Sequence, residues 1–169
     1  MTSRTGNNPR RPDGYILVEL LAVMLLFAVA LAVAAPILSN SYREAGFRAA
    51  VRTIAAKLTY THRQSVAKGK TMRVAFDVRG GASWIETETG PGVFRMENRN
   101  TDARQPLPTG VRFLSMEGPG IEPAMPAYYA TFYPDGTAQS RRITIQGPGK
   151  TNYELTVQPA TGSVAAKKI

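Results

Sequence analysis

One acid, Glu19, stands inside the most apolar stretch of this 169-residue chain, DGYILVELLAVMLLFAVALAVAAPIL from Asp13 to Leu38. An unpaired charge in hydrocarbon costs about 2.5–3.5 kcal/mol even on a lenient insertion scale, so an acid there marks a function by default. The plainer alternative is an acid tolerated at the membrane interface. Other reactive groups are sparse. His62 is the single histidine, and no acid or second histidine stands at helical spacing to complete a metal site with it. It reads as a surface residue without a role. A Ser-His-Asp triad would have to use His62, and no G-x-S-x-G elbow, phosphate loop or dinucleotide fingerprint occurs. Gly147 to Lys150, GPGK, lacks the length and the following serine of a phosphate loop and reads as a β-turn. The chain is therefore expected to be no enzyme and to need no metal and no cofactor. Lys167 and Lys168 are the remaining candidates, as nucleic-acid contacts.

Composition narrows the class further. Cysteine is absent, which excludes zinc fingers, disulfide frameworks and thiol nucleophiles. The formal charge is +9, of which residues 1–14 hold +2 (Arg4, Arg10 and Arg11 against Asp13), leaving +7 for the rest. That is a basic protein, and its cations are scattered rather than clustered. A mildly basic solvated surface is the default reading, with nucleic acid as the partner to weigh against it. Twelve prolines and fifteen glycines, mostly beyond residue 68, suit a loop-rich β domain.

The elements that must carry Glu19 begin with a polar leader, Met1 to Asp13, expected to be disordered. From Tyr15 to Leu38 the only charged residue is Glu19. This run, roughly 24 residues at ~1.5 Å each, extends about 36 Å and is long enough to span a bilayer core. The arginines ahead of it predict a cytoplasmic N-terminus and a far-side location for everything after Ser39. A secretory signal peptide ending at AVAA is the rival, but the apolar run is long for one, Glu19 interrupts it, and Pro36 follows the cleavage-like site. A twin-arginine address fits less well, because Pro12 and Asp13 follow the arginine pair.

Beyond Pro36, which should bend the helix, Phe47, Val51, Ile54 and Leu58 draw one apolar stripe, with Arg48, Arg52, Lys57 and Arg63 off it. Ser39 to Lys68 reads as an amphipathic helix stopped by Gly69. Met72 to Val78 alternates as a half-buried strand. Ser83 to Thr87 returns as its hairpin partner across Arg79-Gly80-Gly81, with Trp84 read as a packed hairpin or core aromatic rather than a binding residue. Gly90 to Pro108 reads as a long exposed loop. Val111–Met116, Tyr129–Tyr133, Arg142–Ile145 and Tyr153–Val157 are further strands, separated in part by turns at Pro134-Asp135-Gly136 and Gly147-Pro148-Gly149. The fold class is α+β, a long N-terminal helix packed on an antiparallel β domain.

The motif G-Y-I-L-V-E-L-L resembles the type IV prepilin leader: a short basic leader ending in glycine, an apolar first mature residue, three apolar residues, then glutamate. Tyr15 departs mildly from the usual phenylalanine or methionine. Pro36 falls where pilin-like helices carry a proline kink. LTYTHRQSVAKGKTMRVAFDV, LPTGVRF, FYPDGTA, RITI and the closing VQPATGSV resemble the GspH/FimT family, which includes the H-type minor pseudopilins of type II secretion. The likeness runs from Gly14 nearly to the C-terminus. It implies a pilin-like fold; a leader, 1–14, cut between Gly14 and Tyr15 by a prepilin peptidase; and N-methylation of Tyr15. It also implies a membrane helix, 15–38, and a periplasmic domain, 39–169, made of helix 39–68 and a β domain, 70–165. The new α-amine of Tyr15 would be largely cationic at neutral pH. In the family, Glu19 is held to meet the amine of a neighbouring subunit, which makes it a register device in the filament. The partners implied are other pseudopilins at a filament tip, the peptidase and the inner membrane. FimT-like relatives imply the alternative, DNA binding for uptake through a basic C-terminal region. Here Ser163 follows Gly162 where that family often carries basic residues, and Lys167 and Lys168 come only later.

Overall fold

A computed structural model of the chain describes residues 13–96, 103–119 and 127–169, with backbone alone at 13–15, 33–41 and 127. The leader residues 1–12 lie outside it. The chain divides into two units, Met1–Tyr42 and Arg43–Ile169, each taken here by itself.

Helix α1 spans Asp13–Lys68. It stops where glycine allows a left-handed residue: Gly69 has φ +61. The Lys70 N–H donates to the Ser65 carbonyl at 3.1 Å and the Gly69 N–H to that of Val66 at 3.3 Å, capping the last turn in a Schellman arrangement. The stripe is buried as its spacing requires, with Phe47 at 1%, Val51 and Ile54 at 3% and Leu58 at 0% exposure. Each such burial stabilises by roughly 1.5–3 kcal/mol.

Among the described residues the strands form two antiparallel sheets. In the first, β1 (Met72–Asp77) lies between β2 (Ala82–Gly90) and β6 (Ala127–Phe132), while β3 (Val93–Met96) and the short β4 (Gln105–Pro106) both pair with β2. The stretch from Gly90 to Pro108, expected to be a loop, therefore supplies two strands in part. Their short exposed sequences carry no alternation long enough to announce them; Val93 and Met96 are each 50% exposed. In the second sheet the order is β5 (Arg112–Glu117), β7 (Arg141–Gln146), β8 (Asn152–Val157) and β9 (Val164–Lys168).

The core lies between α1 and the inner faces of both sheets, joining Phe47 and Leu58 to Phe76, Phe132, Ile143, Ile145 and Leu155. The outer face of the first sheet is tied by a cation. The Arg73 guanidinium sits 3.8 Å from the Phe94 ring centre and 3.7 Å from that of Tyr129. It also donates to Glu86 Oε2 at 2.6 Å, while Trp84 Nε1 donates to Glu86 Oε1 at 2.8 Å. Trp84 is thus a hairpin aromatic, as its place predicts. At the β1–β2 turn the Gly80 N–H donates to Asp77 at 2.7 Å, and Arg104 pairs with the same carboxylate. The Gly80 hydrogen bond first, then Arg104, hold the Asp77 carboxyl below its ordinary range.

Candidate functional site

The residues singled out for processing and assembly all lie on the first part of α1. Gly14, Tyr15 and Pro36 fall within the helix, which continues past the proline. The side chains of Tyr15 and Pro36 are outside the described residues, as is the arginine-bearing leader. Glu19 is exposed, and so is the surface around it: from Ile16 to Leu31 the large apolar side chains are 43–70% exposed. A contiguous apolar surface of that kind marks a membrane or a protein partner. Glu19 lies four residues from Tyr15, on one helix face. Among the described residues no helix is long and apolar enough to cross a membrane. The expected span, 15–38, extends onto residues 33–38, whose side chains are outside the description.

Lys167 and Lys168 fall on β9, an element beyond the last strand expected from the sequence, Tyr153–Val157. Lys167 pairs with Glu154 and Lys168 with Tyr153, and successive strand residues face opposite sides of a sheet. Lys167 thus belongs to the outer face, where Arg142 already bridges Glu154 at 3.4 Å and Glu117 at 3.3 Å. Lys168 belongs to the inner face, with Tyr153. On that face Arg48, Arg52, Tyr153 and Ala166 help line a cavity of about 190 Å³ between α1 and β9. The two lysines are not brought onto one surface. As cations on an edge strand they also oppose pairing with another chain.

Two residues given no inward role are structural. Lys57, placed off the apolar stripe, is 7% exposed. Its Nζ donates to the Ser83 carbonyl at 2.9 Å and to Ser83 Oγ at 3.2 Å, linking α1 to β2. Its position next to Leu58 was the available signal, since one residue beyond a stripe lies at the core's margin. His62 is half-buried rather than a plain surface residue. Its Nε2–H donates to the Gly136 carbonyl at 2.9 Å, its ring lies 5.8 Å from that of Phe132, and Gly162 approaches so closely that a Cβ there would overlap the imidazole. The Pro-Asp-Gly turn and the Thr-Gly hairpin are therefore both seated on one side chain. No local pattern carries that information. Arg141, beside the predicted strand 142–145, is buried and donates to the Tyr129 carbonyl at 2.6 Å; burial lowers its pKa from the ordinary arginine value.

Cavities of about 500 and 300 Å³ lie between α1 and β4, lined by residues that include Thr53, Lys57, Tyr60, Arg104 and Pro106. They gather no acid–base pair, and among the described residues no group of three His, Asp or Glu could hold a metal. The geometry offers surfaces for association: an exposed apolar helix with one carboxylate, and a cationic seam between α1 and β9.

No protein-family profile matches the sequence, and no curated protein matches it. Solved structures do. One structure of the minor pseudopilin EpsH from the type 2 secretion system of Vibrio cholerae superposes with a TM-score of 0.57 at 14% identity, covering 72% of this chain and 95% of that one. A crystal structure of the same protein gives 0.58 at 14% identity, covering 74% and 94%. The helix followed by antiparallel sheets is accordingly the fold of the minor pseudopilin EpsH.

Proposed function

We propose that this chain is a minor pseudopilin, a structural subunit that joins other pseudopilins in the periplasmic filament of a type II secretion system. The observation that carries this reading is the shared fold with EpsH. The exposed apolar helix with Glu19 supports it, because such a surface needs lipid or a neighbouring helix to cover it. On this reading a prepilin peptidase cuts between Gly14 and Tyr15, Tyr15 is N-methylated, and residues 15–38 hold the chain in the inner membrane with the globular unit in the periplasm. Pro36 bends the helix, and Glu19 meets the amine of a neighbouring subunit. The protein acts by assembly and performs no catalysis.

The DNA-uptake alternative draws support from the net charge, but the opposed faces of Lys167 and Lys168 weigh against a shared contact with a phosphate backbone. The deciding experiment is deletion of the gene in its host. Secretion should fail while transformation continues, and the full chain expressed in trans should restore secretion and cross-link to other pseudopilins in the membrane. Intact secretion with lost transformation would establish the alternative.

A further inference from the structure

Each sheet ends in strands with an unpaired side, and among the described residues β3 is the one left open to a further strand. The outer side of β6 is taken by the chain that follows it: the Gln139 N–H donates to the Thr131 carbonyl at 2.8 Å, and Arg141 Nε to that of Tyr129 at 2.6 Å. β5 carries a bulge between Phe113 and Ser115 that interrupts its ladder. β9 presents Lys167 and Lys168, and β4 is two residues long and ends in proline, which has no N–H to offer. β3 has neither proline nor lysine, its single charge is Arg95, and the bulge opposite it falls in β2, between Glu88 and Gly90. It is also where exposed apolar side chains come together. Val93 and Met96 both stand on its four residues, whereas Val66, Leu114, Tyr133 and Ile169 stand singly elsewhere in the globular unit.

The direction of the free backbone groups follows from the register. The Glu88 N–H donates to the Thr71 carbonyl at 2.9 Å, so Glu88 turns its backbone to β1. Backbone direction alternates along a strand, so Thr87 turns its own to β3, where Arg95 is its partner. The Leu107 N–H, which donates to the Gly81 carbonyl at 2.7 Å on the same side of β2, fits that alternation. Arg95 is thus bonded inward, and Phe94 and Met96 point their N–H and C=O groups away from β2. The Arg73 guanidinium, 3.8 Å from the Phe94 ring centre, fixes β3 on the sheet before anything binds.

We propose that β3 is a docking edge that takes an extended segment of another protein as an added strand, with an aspartate or glutamate opposite Arg95 and apolar residues opposite Phe94 and Met96. The backbone groups of Phe94 and Met96 supply the ladder, and the side chains supply the choice of partner. Arg95 is exposed and has no ion pair among the described residues, so an acid in the added strand completes it. The same cation disfavours a second copy of this chain. The antiparallel register that uses both outward-bonding residues would set Phe94 against the second copy's Met96 and the two Arg95 side chains directly opposite one another, which destabilises. The edge needs neither a membrane span nor a filament and stands apart from the pseudopilin reading.

The test takes the full chain in detergent micelles and follows amide hydrogen exchange at single residues as capped peptides with the cores Val-Glu-Val and Val-Lys-Val are added. The Val-Glu-Val peptide should slow exchange at Phe94 and Met96 by about tenfold at a concentration about ten times its Kd, while Arg95, already bonded to β2, and β1 stay unchanged. The Val-Lys-Val peptide should bind about fivefold more weakly, and Arg95→Glu should reverse the order. Met96→Pro removes an outward N–H and no bond to β2, so it should abolish the protection of Phe94; if that variant unfolds, the charge reversal at exposed Arg95 decides alone. No protection by either peptide at millimolar concentration refutes the proposal. Equal protection by both, unchanged in Arg95→Glu, overturns the acid. Protection that grows with the concentration of the chain alone makes the occupant a second copy and overturns the assignment to another protein.

Discussion

The contact between Phe47 and Gly147 sets up a double-mutant cycle whose outcome can be worked from geometry. Gly147 has φ −108 and ψ −174, an extended conformation that alanine adopts without strain, so any cost of Gly147→Ala is steric. Its Cβ would overlap the Phe47 ring, which is 1% exposed and has no room to retreat. Overpacking of this kind costs about 1–3 kcal/mol. Phe47→Ala alone should cost about 3–5 kcal/mol, through lost transfer energy and the cavity left behind. Removing the ring also removes the clash. In the Phe47→Ala background the methyl at 147 should then cost nothing, or stabilise by about 0.4–1 kcal/mol through the unfolded chain. The two changes together should therefore be less harmful than their sum by about 1–3 kcal/mol, well beyond the additivity error of distant sites. Urea unfolding of the full chain in detergent micelles, followed by Trp84 fluorescence and far-UV circular dichroism, reads this as midpoint shifts at constant m. Additivity within about 0.5 kcal/mol would falsify the claim that this glycine exists to admit that ring.

Other tests reach the remaining links. Membrane-extracted protein should give Tyr15 as its N-terminal residue on sequencing, and a start at Ala35 or Pro36 in a soluble product would overturn the prepilin reading. Glu19→Gln should leave insertion intact and abolish cross-linking to other pseudopilins together with secretion, because a neighbour's amine would be left buried and unpaired; normal assembly would make Glu19 a tolerated interfacial acid. The Asp77 carboxyl is held below its ordinary range in the fold, so the stability it contributes is complete above the unfolded value near 3.9 and is lost as pH falls through the folded value. Asp77→Asn should accordingly flatten the acid limb of the stability curve below about pH 5, and an unchanged limb would remove Asp77 from the account. Gly162→Ala should destabilise, since φ is +59 and the new methyl meets His62, with relief in a His62→Ala background if the steric part dominates.

What could be read in the sequence was what short-range spacing encodes. The stripe Phe47, Val51, Ile54 and Leu58 repeats at a helix's period, so its burial and the stop at Gly69 were legible, as were the alternating β1 and the turns carrying Pro-Asp-Gly and Gly-Pro-Gly. What escaped depends on long-range pairing. β3 exists because β2 runs on to Gly90 and offers it an edge, and β4 because Ala82 and Ser83 at the start of β2 pair with Pro106 and Gln105. β9 exists because β8 does, since Val-Ala-Ala-Lys-Lys has little strand propensity of its own. Ala75 reads as an outward residue by alternation yet is fully buried, because a methyl is easily covered by its neighbours. His62 needed the Gly136 and Gly162 turns in place before it had anything to hold. The features proposed for assembly rest on residues 14–36, where the motif speaks and the globular fold has little to add.

Net charge is a poor guide to partners here because the fold spends its cations unequally. Arg73 and Arg142 lie on sheet faces opposite acids, Arg104 pairs with Asp77 at the β1–β2 turn, and Arg141 is buried among carbonyls. They contribute to the formal +9 but present little positive field to a ligand. The cations that remain exposed without an ion pair among the described residues are dispersed, from Arg43 and Arg63 on α1 to Arg79 at the β1–β2 turn, Arg95 on β3 and Lys150 and Lys168 beside β8. The two arginine-bearing flanks of the apolar run are also balanced: Arg4, Arg10 and Arg11 precede it, and Arg43, Arg48 and Arg52 follow within fourteen residues. The cytoplasmic N-terminus expected from Arg4, Arg10 and Arg11 is therefore set against the arginines that follow the run. Arg43→Gln with Arg48→Gln should therefore ease export of the globular unit, read as a larger protease-accessible periplasmic fraction of the full chain, and an unchanged fraction would show that these arginines do not oppose translocation.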